Sequence, residues 1–198
     1  MWYWVFRGIS LVILKVFFRL KVEGLENIPK KSNFIIVANH SSYLDPFVVG
    51  AAIPQKVYWI AWKHFYKRLI TKWFMQKTDT LPAAGNSSEK AVFLLMENKN
   101  VGLFPEGRRS FDGKVGEFRR GAALLALKTG RPIVPCSILG AYEALPRGAK
   151  FPRLRQIKIK IGRPKYLFKE FEDIVDDLYL EDGIFQIRNT IREMIYAG

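Results

Sequence analysis

The segment Asn39-His40-Ser41-Ser42-Tyr43-Leu44-Asp45 sets an imidazole and a carboxylate five positions apart. A neutral imidazole can take a proton from an alcohol that attacks a carbonyl, provided a carboxylate fixes its tautomer and steadies the cation that forms. Such a dyad needs no enzyme nucleophile when the substrate supplies the hydroxyl. A second block, Phe104-Pro105-Glu106-Gly107-Arg108-Arg109-Ser110, has the chemistry of a phosphate grip. Gly107 allows close backbone approach, and a guanidinium at Arg109 can hold phosphate oxygens in a bidentate way that lysine does not match. Glu106 fits beside a phosphate only by orienting an arginine or a substrate hydroxyl. The bland alternative makes Asp45 a helix cap, His40 a loop residue and Arg108-Arg109 a solvated turn pair.

These residues need elements to position them. Phe34 to Ala38 is a short continuous β-branched run, which predicts a strand buried on both faces with His40 just past its carboxyl end. Asp45-Pro46 reads as an N-cap and a first-turn proline, opening a helix through Ala52 that Pro54 closes. Val57 to Ala61 predicts a second strand, followed by a basic, aromatic helix from Lys63 to Lys77. Helices are expected from Ser87, over Gly121 to Lys128 and around Ile184 to Ile195. Strands are expected at Val101 to Phe104, at Ile133 to Leu139 and in the alternating Ile157, Ile159 and Ile161 run. Ala83 to Ser88 reads as a mobile loop. The alternation predicts a single α/β domain with a largely parallel central sheet flanked by helices, and ligands in such sheets bind beyond the carboxyl ends of the strands.

Composition narrows the partners. The chain of 198 residues carries a net charge of +14, so an anionic partner is expected: membrane, nucleic acid or a phosphorylated substrate. Residues 1 to 169 hold 30 basic and 10 acidic side chains, and residues 170 to 198 hold 2 and 8. The acidic stretch Glu170 to Asp182 is read as a solvated helix face. Cys136 is the only cysteine, so no intramolecular disulfide forms, and its apolar neighbours mark a buried core thiol in a chain suited to a reducing compartment. Two histidines and one cysteine offer no metal-ligand spacing, and His64 is read as a surface residue. Neither a G-x-S-x-G elbow nor a P-loop is present, which argues against serine hydrolases and P-loop nucleotide enzymes.

Residues 1 to 21 open with MWYWVFRGISLVILKVFFRL, whose cations interrupt any apolar run of the ~20 residues a spanning helix needs. At about 100° per residue, Arg7, Lys15 and Arg19 share an arc of about 120°, which predicts an interfacial amphipathic helix with Trp2 and Trp4 at the headgroup boundary. The competing reading packs this helix on the domain itself. Tyr58 to Lys77 interleaves aromatics with cations and is read as a second interfacial surface, although the same texture suits single-stranded nucleic acid.

Together the two blocks resemble the signatures of the glycerolipid acyltransferases, N-H-x4-D followed by F-P-E-G-T-R-S. The texture from Val22 to Pro164 is most similar to the bacterial 1-acylglycerol-3-phosphate acyltransferase branch. The resemblance implies an acyltransferase domain over residues 22 to 198, with His40 as general base and Asp45 as its partner. It assigns glycerol phosphate binding to Glu106, Gly107, Arg108, Arg109 and Ser110, and an acyl or donor path to Val134 and Pro135. It further implies acyl transfer from acyl-CoA or acyl carrier protein to the sn-2 hydroxyl of 1-acylglycerol 3-phosphate, giving phosphatidic acid in phospholipid biosynthesis. No cofactor is tightly bound in that picture, and the enzyme sits peripherally or monotopically on the cytoplasmic face of the cell membrane, without nucleic acid. Two departures stand out. Arg108 replaces the usual threonine, and Thr80-Leu81-Pro82-Ala83-Ala84 lacks a further substrate-binding arginine, for which Lys77 or Arg120 is the expected substitute. Phe118-Arg119-Arg120-Gly121 also looks family-like. The rival readings are acylation of another lysolipid, such as a lyso-aminolipid, and a non-catalytic module binding anionic lipid or nucleic acid.

Overall fold

The computed structural model describes residues 1–167 and 177–196. In chain order the elements are α1 (Trp2–Phe18), β1 (Lys21–Glu23), β2 (Ile35–Ala38), α2 (Asp45–Ala52), β3 (Val57–Trp62), α3 (Leu69–Lys77), β4 (Leu81–Ala83), α4 (Ser87–Met96), β5 (Asn100–Leu103), α5 (Gly121–Thr129), β6 (Ile133–Leu139), α6 (Ala141–Ala144), β7 (Lys158–Ile161) and α7 (Asp177–Tyr196). The seven strands form one sheet in the order β1-β7-β6-β2-β5-β3-β4. Every pairing is parallel except β6 with β7.

The central strand explains the two layers around the sheet. All four residues of β2 are buried, and alternate side chains point to opposite faces. Ile36 and Ala38 join Val134 and Cys136 in a core closed by Leu14 and Phe18 of α1 and Val48 and Val49 of α2. Ile35 and Val37 join Val101, Leu103 and Ile133 in a second core under α4, α5 and α7. The register pairs Val37 with Leu103 and Ala38 with Cys136, so β2 and β5 end within one residue of each other while β6 runs on to Leu139. The residues that follow β2 and β5 therefore meet above the sheet.

Several sequence expectations change here. Asp45 is the first residue of α2 and not its cap; Leu44 occupies that position. The helix expected from Lys63 to Lys77 is two pieces, a 3-10 turn Lys63–Lys67 and then α3, separated by Arg68 in an extended conformation. The break has a local cause, because the Tyr66 hydroxyl donates to the Thr80 carbonyl and ties the first piece to the start of β4. The loop expected over Ala83 to Ser88 shrinks to residues 84–86 between β4 and α4. In the acidic stretch Glu170 to Asp182, residues 170–176 lie outside the described residues, while Asp177 and Glu181 on α7 pair with Arg120.

The N-terminal helix also departs from the expected wheel. Tyr3, Leu14 and Phe18 are buried against the domain, and the Tyr3 hydroxyl accepts the Val57 N–H at 3.1 Å. Arg7 shares this inward face. Its guanidinium donates to the carbonyls of Ile53 (3.0 Å) and Ala51 (3.2 Å), the free carbonyl end of α2, where a cation also meets the negative end of the helix dipole. Arg7 is therefore a strut between two helices and not a headgroup contact. Lys15 and Arg19 remain exposed, as do Trp2 and Trp4. The opposite stripe, Val5, Ile9, Val12, Ile13, Val16 and Phe17, is apolar and exposed. No helix among the described residues is long and apolar enough to cross a membrane.

Candidate active site

The turn after β2 is built around one carboxylate oxygen. Asp45 Oδ2 accepts the Ser41 N–H at 2.7 Å and the Ser42 N–H at 2.8 Å, and it lies 2.8 Å from His40 Nδ1. Three donors converging on one acceptor fix both the carboxylate and the ring, and they assign the proton to Nδ1, leaving Nε2 as the free ring nitrogen. The Asp45 side chain is fully buried, whereas that of His40 is 17% exposed. The carboxylate is thus sealed while the imidazole remains accessible. Asn39 locks the strand end below them, donating from Nδ2 to the Ile138 carbonyl (3.0 Å) and accepting the Ile138 N–H (2.7 Å).

The ring plane has its own support. Phe104 stacks on His40 with centroids 4.3 Å apart, and Trp59 stacks on Phe104 at 5.1 Å. A Cβ on Gly102 would fall 2.9 Å from the Trp59 ring, so only glycine at that point of β5 lets the indole lie flat. Phe104 opens the second sequence block, whereas Trp59 belongs to the stretch read as interfacial and is instead buried here, because it pairs with Gly102 of β5.

The turn after β5 joins the first turn through the main chain. The Ser110 N–H donates to the His40 carbonyl at 2.8 Å, and Glu106 Oε1 accepts the His40 N–H at 2.8 Å. Glu106 Oε2 accepts the Gly116 N–H at 3.2 Å. Each oxygen of Glu106 thus accepts one backbone N–H, so the side chain braces the two turns against each other. Burial pushes its carboxyl above the ordinary value, partly offset by the His40 and Gly116 N–H groups. Gly107 adopts φ +67°, and a Cβ there would sit 2.7 Å from Arg119 Nε, so the glycine serves the turn and admits the Arg119 side chain.

The arginines of this turn are held by aromatic faces. Arg109 Cζ lies 3.4 Å from the centroid of Tyr43, and its Nη1 is buried without a hydrogen-bond partner. Arg108 lies 5.9 Å and Arg147 3.9 Å from the Phe111 ring, and Arg147 Nη1 donates to the Arg109 carbonyl at 3.5 Å. The Lys114 N–H, at 3.1 Å, and then the Ser110 hydroxyl, at 2.9 Å, donate to Asp112 and hold its carboxyl below its usual range.

The remaining candidates fall elsewhere. Val134 and Pro135, expected along an acyl or donor path, are buried inside β6, with Val134 wholly in the core. Arg120, expected to replace the absent arginine, is turned away to Asp177 (2.5 Å) and Glu181 (3.1 Å). Arg119, its neighbour, is the residue beside the Gly107 turn. His64 is exposed and stacks on Trp62 at 5.0 Å. Burial pushes the Cys136 thiol up to about 12, as befits a core side chain.

Comparison with known proteins agrees with this geometry. The family model described as Acyltransferase matches residues 19–139. The chain is 31% identical to the 1-acyl-sn-glycerol-3-phosphate acyltransferase of Bacillus subtilis over 159 residues, covering 77% of each. It is 29% identical to the chloroplastic 1-acyl-sn-glycerol-3-phosphate acyltransferase of Brassica napus, covering 76% of this chain and 46% of that protein. The crystal structure of the 1-acyl-sn-glycerophosphate (LPA) acyltransferase PlsC from Thermotoga maritima superposes with a TM-score of 0.74 at 27% identity, covering 96% of this chain and 81% of that one. The chain spans about half the length of the first curated relatives it matches, 46%, 40% and 51%.

Proposed function

The chain belongs to the acyltransferase family, and we propose that it moves a fatty acyl group from an acyl thioester to the sn-2 hydroxyl of 1-acylglycerol 3-phosphate, forming phosphatidic acid at a membrane surface. The observation that carries this reading is the coupling of two turns. An imidazole whose Nδ1 is held by a buried carboxylate at 2.8 Å is joined, through the Ser110 N–H, to a turn carrying Arg108 and Arg109. A base and an anion grip placed side by side suit an acceptor that bears both a hydroxyl and a phosphate.

In this mechanism His40 Nε2 takes the hydroxyl proton as the oxygen attacks the thioester carbonyl, and Asp45 stabilises the imidazolium. The tetrahedral intermediate collapses with cleavage of the C–S bond, and the imidazolium returns its proton to the departing thiolate of coenzyme A or acyl carrier protein. Phe104 and Trp59 keep the ring in plane throughout. Arg109, resting on Tyr43, supplies positive charge for the acceptor phosphate. The outer stripe of α1 lies in the cytoplasmic leaflet, with Trp2, Trp4, Lys15 and Arg19 at the headgroups, so that both lipids reach the site without crossing much water.

His40→Ala tests the chemistry. Transfer falls by about 10²–10⁴-fold with vesicle binding retained, the range general-base removal produces; unchanged transfer would dismiss the mechanism. The absence of an arginine in Thr80 to Ala84 favours a second acceptor, a lyso-aminolipid. A panel of lysolipid headgroups with purified protein decides between them.

A further inference from the structure

The segment between α6 and β7, residues 146–156, reads Pro-Arg-Gly-Ala-Lys-Phe-Pro-Arg-Leu-Arg-Gln, with four cations and no acidic residue. Residues 147–156 are all exposed, and its two large apolar side chains stand furthest out, Phe151 at 81% and Leu154 at 67%. The backbone is nonetheless tied down. The Arg153 N–H donates to the Ala144 carbonyl at 2.7 Å, the Arg155 N–H to the Arg153 carbonyl at 2.8 Å, and the Ala149 N–H to the Pro146 carbonyl at 3.1 Å. The segment thus holds Phe151 and Leu154 outward in a fixed shape.

Its two ends reach the two regions that matter. At one end Arg147 touches the Arg109 carbonyl and the Phe111 ring. At the other, the Ile157 N–H donates to the Phe18 carbonyl at 2.9 Å, at the end of α1. Val16 and Phe17 are exposed there, beside the exposed cations Lys15 and Arg19.

We propose that this segment is a second membrane contact, made to an anionic phospholipid leaflet. Phe151 and Leu154 enter the headgroup boundary while Lys150, Arg153 and Arg155 lie among the lipid phosphates. The inference rests on the reading of α1 as a docking helix and extends it. α1 and the segment each combine exposed apolar side chains with cations and are tied together at Phe18 and Ile157, while the other end of the segment reaches the Arg109 turn. An acidic protein partner would complement the cations but leave the adjoining stripe of α1 in water, so a lipid surface fits both halves.

The test uses the full chain, with vesicles of phosphatidylcholine alone and of phosphatidylcholine mixed with phosphatidylglycerol. Each cation near an anionic surface is worth about fivefold in partitioning. A Lys150→Gln, Arg153→Gln, Arg155→Gln variant therefore loses at least about tenfold in binding to the anionic vesicles, with little change on the neutral ones, and the loss shrinks as salt rises. Phe151→Ser with Leu154→Ser weakens binding to both. Transfer to lysolipid in detergent micelles is unchanged for each variant, which also reports that they fold. Wild-type binding of the triple variant to anionic vesicles would overturn the proposal. So would intact vesicle binding combined with a selective loss of transfer from acyl carrier protein, which would make the segment a protein-docking site. A Val12→Glu, Val16→Glu variant separates the two ideas, since its loss of vesicle binding upholds the α1 reading even where the segment fails.

Discussion

The two turns above the sheet occupy equivalent places, one after β2 and one after β5, yet they are held by opposite means. Around His40 the side chains are paired through charge and hydrogen bonds, with three donors on a single oxygen of a buried aspartate. Around Arg109 the guanidinium groups rest on Tyr43 and Phe111. An aromatic face positions a cation without neutralising it, whereas a carboxylate would cancel the charge an anionic ligand needs. The contrast matches the proposed roles: the His40 imidazole is oriented by an opposite charge as well as by the Phe104 ring, and the arginines rest on rings that leave their charge intact.

The largest effect should come from weakening the first turn. Asp45→Asn keeps the volume and an amide oxygen that can still accept from Ser41, Ser42 and Nδ1, but it removes the negative charge beside the ring. The imidazolium formed as Nε2 takes the proton is then no longer stabilised. The expected loss in kcat is about 10³–10⁴-fold with KM little changed, as for triads whose orienting aspartate is lost. A variant whose loss lies wholly in KM would show that Asp45 does not act through His40. Breaking the second turn should do the reverse. Arg109→Lys retains a positive charge but gives up the planar fork over Tyr43, so KM for a phosphate-bearing acceptor rises by about tenfold, roughly the worth of a charge-assisted hydrogen bond, while kcat stays within a few-fold. Kinetics across a range of acceptor concentrations separates the two outcomes, and equal effects on both parameters would erase the contrast between the turns.

Much of this was legible in the chain because its signals are local. The buried runs Ile35 to Ala38 and Ile133 to Leu139 are continuous and rich in branched residues, and they form the two adjoining strands of the sheet. His40 and Asp45 lie on one short turn, so their meeting needs no long-range fold. What was missed depends on contacts between distant segments. Arg7 looks like a headgroup cation on a helical wheel, yet its angular position coincides with Leu14 and Phe18, and only the docking of α1 on α2 turns it inward. β4 is three residues with a central proline, and it exists because Ile60, Ala61 and Trp62 offer it an edge. The role of Glu106 was hidden for the same reason: the N–H groups it accepts, from His40 and Gly116, are 66 and 10 positions away.

That brace supplies the smallest and sharpest test, because it belongs to both turns at once. Glu106→Gln preserves shape but offers one acceptor where two backbone donors converge, so either the His40 or the Gly116 N–H is left buried without a partner. Such a loss costs about 1–3 kcal/mol in stability. The catalytic effect should be only several-fold, since His40 keeps its bond to Asp45 and the change is one of positioning. The pH dependence gives the brace its signature. Burial raises the Glu106 carboxyl above its unfolded value, so between those two values the folded chain binds more protons than the unfolded one. The resulting stability is fully present below the ordinary carboxylate range and fades as pH rises through the raised value. Glutamine does not titrate. The stability gap between wild type and Glu106→Gln, read from denaturant melts, should therefore be widest at low pH and narrow as pH rises through that window; a gap that widens instead would mean that Glu106 is stabilised as a carboxylate, which makes it a charged partner of the arginine turn and not a buried brace between the two.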